Sequence, residues 1–117
     1  MRPETESERE QRRQASLEAY RALVDPANPP RKPYLFEHHF LASDSADTDG
    51  FMKTLEEKGF RIETFAYDPD DAERAWKIEA VKLDLLEERR VLALSDEMEE
   101  TARQFEVAYD GWLTRVE

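Results

Sequence analysis

Two adjacent histidines and a scatter of carboxylates are the residues in this sequence best equipped for chemistry. His38 and His39 fall in Tyr34-Leu35-Phe36-Glu37-His38-His39-Phe40-Leu41-Ala42, whose apolar, β-favouring composition reads as a central strand. Side chains alternate along a strand, so the two imidazoles face opposite sides and cannot hold one ion together. Glu37 and His39 share a face, and Asp110 on a neighbouring strand would join them. One imidazole and two carboxylates make a sparse ligand set, and no metal is assigned. His38, between Phe36 and Phe40 on its own face, reads as a buried, hydrogen-bonded ring. His39 is left for a hydrogen-bonded cluster or a contact surface.

Tyr109-Asp110-Gly111-Trp112 is the second distinctive stretch. A glycine inside a strand marks a bulge or a close backbone approach, Asp110 bonds locally at the bend, and the kink aims the two aromatics. Trp112 is expected on the open face of a sheet as an anchor for a partner, since tryptophan is enriched at binding hot spots. Glu37, His39, Asp110 and Trp112 are therefore the expected contact cluster, with His38, Tyr109 and Gly111 as structural members. Ser45, Asp47, Asp49, Gly50 and Glu56 fall at the spacing of a calcium loop. Ser45 opens it, a strand precedes it and Lys53 puts a cation at a ligand position, so helix capping is the simpler account. The sequence has no cysteine, no Gly-flanked serine elbow, no phosphate-binding glycine loop and no HExxH pair. Neither an enzyme nor a cofactor is expected.

The elements that must position these residues follow from periodicity and punctuation. Glu4 to Val24 is helix-forming, with Leu17, Tyr20, Leu23 and Val24 on one side. Its second half is expected to dock and its Glu/Arg-rich first half to fray. Pro26, Pro29, Pro30 and Pro33 then set an extended linker. After the first strand, cap candidates from Asp44 to Asp49 precede a helix ending near Lys58, with Gly59 as its stop. Residues 60–67 and 75–83 alternate as two strands around the turn Asp68-Pro69-Asp70-Asp71. Asp84 and Glu87 have the spacing of a capping box for a helix running to about Gln104, with Leu94, Met98, Ala102 and Phe105 as its buried stripe. Val107 to Val116 forms a fourth strand, broken at Asp110-Gly111. The order after the first helix is that of a ferredoxin-like βαββαβ unit, an α+β fold whose four-stranded antiparallel sheet has its first strand central and two helices on one face. The expected division is a charged helix and Pro-rich linker over 1–30 and the ferredoxin-like domain over 31–117.

At 117 residues a single small domain is expected, and roughly 90 of them suffice for a core. No apolar run nears the roughly 20 residues that span a bilayer, and the charged N-terminus lacks a signal-peptide core, so a cytoplasmic protein with no membrane partner is expected. The net charge of -11 lies wholly beyond Val24, because the residues up to it hold five arginines and five glutamates. Such a field repels phosphate backbones, which argues against direct nucleic-acid binding and for a basic protein partner.

Two blocks resemble the RraB family, regulators of ribonuclease E activity. Tyr34 to Phe40 is similar to that family's tyrosine-to-Glu-His-His strand, and Phe105-Glu106-Val107-Ala108-Tyr109-Asp110-Gly111-Trp112 to its closing strand. With the N-terminal helix and the acidic composition, the resemblance extends over about residues 15–117. It implies a non-catalytic protein that binds the scaffold region of ribonuclease E and lowers RNA cleavage, and an acidic body suits a basic, disordered scaffold. The sequence departs from the pattern at Leu113, in place of a second glycine, and at Arg115-Val116, in place of aromatics. Those changes alter the last strand and with it the expected partner contact. A monomer or weak dimer is expected. The alternative is a ferredoxin-like module that binds a small ligand or self-associates, unrelated to RNA decay.

Overall fold

Ten residues of continuous pairing on one side make β1 (Pro33–Ala42) the spine of the sheet. In this computed structural model, which describes residues 3–115 apart from Pro26, Pro29 and Ala72, β1 is preceded by α1 (Glu6–Leu23) and followed by α2 (Thr48–Glu57), β2 (Arg61–Tyr67), β3 (Trp76–Leu85), α3 (Glu88–Gln104) and β4 (Ala108–Arg115). The strand order is β2-β3-β1-β4 with every pair antiparallel. The βαββαβ order and the central place of β1 are as the sequence predicts. Two linker prolines, Pro26 and Pro29, and Val116 of the expected fourth strand lie outside the described residues.

The even-numbered side of β1 faces the helices. Phe36, His38, Phe40 and Ala42 are all buried there. Phe40 and Ala42 join Phe51 and Leu55 of α2, Ile78 and Ala80 of β3, Met98 and Ala102 of α3, and Val107 in one cluster. Phe36 joins Val24, Leu86, Val91 and Leu94 in a second, against which Tyr20 and Trp112 pack. Burial of these large apolar side chains is the main stabilising contribution, worth about 1.5–3 kcal/mol for each one removed from water. α1 therefore lies on the same side as α2 and α3. Among the described residues the opposite side of the sheet receives no helix, and Leu83, Leu85 and Leu113 stay 45–59% exposed.

Two helices enter the next strand by the same device. At the end of α2, Phe60 N–H donates to Leu55 C=O and Gly59 N–H to Glu56 C=O, with Gly59 at φ +93°. At the end of α3, Val107 N–H donates to Ala102 C=O and Glu106 N–H to Arg103 C=O, with Glu106 at φ +59°. Both are Schellman closures, which use a left-handed residue to satisfy the last carbonyls. Gly59 is legible as such a stop, whereas a glutamate in that conformation is not.

Two helix starts differ from expectation. Asp84 does not cap α3: β3 continues to Leu85, pairing Asp84 with Tyr34, and the Asp84 carboxylate takes both Nε and Nη2 of Arg90 at 2.8 Å. The N-cap is Glu87, without a side-chain cap bond. Leu86 before it and Val91 after it share a buried cluster, so a hydrophobic staple stands where the capping box was expected. The capping box is instead at Thr5 and Glu8, at the start of α1. The first half of α1, expected to fray, is tied to α3: Arg9, Arg12 and Arg13 all reach Asp96, and Arg12 also donates to Ser95 Oγ and pairs with Glu4 at 2.8 Å. Burial pushes the Asp96 carboxyl up, but the Arg12 hydrogen bond and the three guanidinium charges outweigh it and hold it below the usual carboxylate range.

Candidate functional site

His38 lies between the two apolar clusters with no exposed surface. Its ring stacks on Phe36 at 6.0 Å between centroids and meets the edge of Phe60 at 5.7 Å. Nδ1 is 2.8 Å from the Tyr109 hydroxyl, while Nε2 has no hydrogen-bond partner among the described residues. Burial drives its pKa down to about 4, outweighing the Asp84 carboxylate, which pulls it up, so the ring is neutral at physiological pH. Burial likewise raises the Tyr109 hydroxyl well above its usual range. The expectation of a buried, hydrogen-bonded His38 matches this geometry.

Tyr109 and Trp112 reach the same side because of a bulge. β4 pairs Phe40 with Tyr109 and His38 with Trp112, and the register shifts between them. The two residues opposite His39 are Asp110 and Gly111, the latter at φ +92°, a conformation that suits glycine. One extra residue restores the facing of everything after it. Trp112 thus packs against Phe36 at 5.3 Å and donates its Nε1–H to Ser16 Oγ of α1 at 3.2 Å. The placement of Trp112 on the open face is corrected: it stands on the helix-covered face, half-buried beneath α1.

The open face is organised around Glu37 and His39. Glu37 is 8% exposed although no helix among the described residues covers it. Its Oε2 accepts from Arg115 Nε at 2.8 Å, and Arg115 also clasps both oxygens of Glu63. That hydrogen bond, above all, holds the Glu63 carboxyl below its ordinary range and Arg115 above its own. Glu37 Oε1 lies 3.0 Å from His39 Nε2, and His39 Nδ1 lies 3.6 Å from Oε1 of Glu79, which is opposite it on β3. The short Nε2 approach is off the line a hydrogen bond needs, so this buried nitrogen makes none among the described residues. Thr64 Oγ1 donates to the other oxygen of Glu79 at 3.0 Å.

The expected quartet is therefore divided. Glu37 and His39 are together on the open face, Asp110 is exposed at the bulge, and Trp112 is behind the sheet. The open-face partners that sequence reasoning missed are Glu79, Glu63, Thr64 and Arg115. Alternation of Trp76, Ile78 and Ala80 does place Glu79 on the opposite side of β3, but only the strand register sets it beside His39. Chemically, this array can hold a proton or a cation between carboxylates. Its hydroxyl, Thr64 Oγ1, is held by the Glu79 carboxylate at 3.0 Å.

No helix among the described residues is long and apolar enough to cross a membrane. The sequence model of the family described as RraB, "Regulator of ribonuclease activity B", matches residues 13–114. No curated protein matches the chain.

Proposed function

The chain belongs to the RraB family of ribonuclease regulators, since the match takes in most of its 117 residues, and from this premise we propose that it is a non-catalytic inhibitor of ribonuclease E that binds the enzyme's scaffold region. The family match is the observation that carries the reading. The net charge of -11 supports it, because an acidic body favours encounter with a basic, disordered protein segment over encounter with RNA. The contact surface in this reading is the uncovered face of the sheet. Glu37 and His39 form its polar centre, Leu83, Leu85 and Leu113 its apolar ground, and Asp110 its edge. Exposed leucines on both sides of β1 would give a partner apolar contacts beside the charged centre. Trp112 contributes from behind, by fixing β4 against α1.

The test compares RNA cleavage by full-length ribonuclease E and by its catalytic domain alone, each with and without this protein. Inhibition of the full-length enzyme only, with binding weakened by salt and by Leu83→Lys or Leu113→Lys, is the expected result. Equal inhibition of both enzymes removes the scaffold from the reading, and no binding to either rejects it. The same exposed leucines favour a second reading, self-association through this face. Sedimentation of the protein alone tests it: a dimer that Leu83→Lys dissociates, with no affinity for the ribonuclease, would establish the alternative.

A further inference from the structure

We propose that Glu37, His39 and Glu79 form a divalent-metal site on the open face of the sheet, taking a borderline transition ion of the Zn²⁺ class. The inference is independent of the ribonuclease reading. One ligand atom from each of the three residues lies within 4.8 Å of the others. Ligands held at 2.0–2.2 Å around a tetrahedral ion are roughly 3.3–3.6 Å apart, so small side-chain rotations complete the set. The three residues come from two adjacent, fully paired strands, Glu37 and His39 two apart on β1 and Glu79 directly across from His39 on β3. A rigid pleated surface thereby fixes where all three ligands start.

Three further observations point to an ion. First, each carboxylate spends its far oxygen on an outer partner, Arg115 for Glu37 and Thr64 for Glu79, and leaves its near oxygen beside the ring, at Nε2 for Glu37 and at Nδ1 for Glu79, from which side-chain rotation would bring the two together on one ion. Orientation of ligating carboxylates by outer hydrogen bonds is the usual construction of a metal site. Second, His39 Nε2 is buried and makes no hydrogen bond among the described residues even though a carboxylate oxygen is 3.0 Å away. An imidazole carrying its proton on Nδ1 has a lone pair to give at Nε2, and a metal accepts it, whereas an ionised carboxylate, itself only an acceptor, does not. Third, the His39 side chain remains 30% exposed, so the ring stands at the surface of the sheet, where a small rotation brings its nitrogen to solvent. One imidazole and two carboxylates suit Zn²⁺, or Mn²⁺ and Fe²⁺ at weaker affinity, and the absence of a thiolate argues against soft ions. The competing account is an imidazolium clamped between two carboxylates with no metal role.

The experiment titrates metal-stripped full-length protein with Zn²⁺ by calorimetry at pH 7.5, and with Co²⁺ by visible absorption and proton NMR. The expected result is one saturable site, with Co²⁺ broadening the His39 ring resonances far more than those of His38, whose ring faces the other side of the sheet. His39→Ala and Glu79→Gln should each weaken the site at least tenfold, while Asp70→Asn, in an exposed acidic loop, leaves it unchanged. Circular dichroism of each variant separates ligand loss from unfolding. Binding equally affected by Asp70→Asn, binding unaffected by His39→Ala, or no saturable site below millimolar Zn²⁺ would each overturn the proposal, the last in favour of the plain clamp.

Discussion

His38 and His39 share a peptide bond and occupy different media. One is sealed among Phe36, Phe60 and Tyr109 with its pKa driven to about 4, and the other is partly exposed between Glu37 and Glu79. The same contrast extends over the two sides of the sheet. The covered side is built of interlocking apolar groups with a few polar atoms among them, such as the Trp112 N–H bonded to Ser16. The open side is built of charge-assisted bonds among Glu37, Glu63, Glu79, Arg115 and Thr64, with leucines left facing water. The difference separates what each side contributes: the covered side sets stability, and the open side carries exposed leucines whose exchange costs the fold little.

The largest test of that division uses two residues of one strand. Ile78→Ala, at a site with no exposure, should cost about 2–5 kcal/mol in urea denaturation, and Leu83→Ala, 59% exposed, should stay within about 0.5 kcal/mol. Similar costs at both sites would break the comparison.

Acid is the next probe. The His38 pKa is lowered in the folded state, so the unfolded chain binds more protons between its ordinary value and about 4. Stability from this ring is whole above pH 6.5 and is lost progressively as pH falls to about 4, by about 3 kcal/mol in total. The descent should flatten in His38→Leu and persist in His39→Gln, in which the buried ring is untouched. Urea midpoints measured at half-unit pH intervals decide it, and a His39→Gln profile flattened as much as that of His38→Leu would contradict it.

A smaller loss is expected for Arg12→Ala, about 1–2 kcal/mol after allowance for solvent screening at a partly exposed network. Hydrogen exchange should then rise first over residues 6–15. Uniform acceleration across the chain would mean that α1 is not a separately tethered element. Smallest is Trp112→Phe, which keeps the ring against Phe36 but removes the donor to Ser16, for about 1 kcal/mol by thermal denaturation. A cost near that of Ile78→Ala would show the hydrogen bond to be the lesser part of its role.

Much of this was legible beforehand. Period-two alternation put Phe36, His38 and Phe40 on one side of β1, and punctuation by Gly59 and the prolines located the elements. The failures have specific causes. Tyr109 and Trp112 are three apart, so simple alternation puts them on opposite faces, and the bulge at Asp110-Gly111 reverses that parity. Asp84-x-x-Glu87 matched a capping pattern, yet Leu83 and Leu85 had partners on β1 and kept the chain extended. The true box at Thr5-x-x-Glu8 opens the helix-forming segment whose Glu/Arg-rich first half is expected to fray.

By itself, the sequence determined the element order, the face on which His38 is buried, the absence of thiol chemistry and the sign of the field around the protein. These depend on local period, residue type and total charge, which need no knowledge of neighbours. Only the tertiary structure decided that Glu79 stands beside His39, that Arg115 links Glu37 to Glu63, and that Trp112 looks inward. Each of those depends on strand register, and a shift of one residue in register moves a side chain through the sheet to its other face.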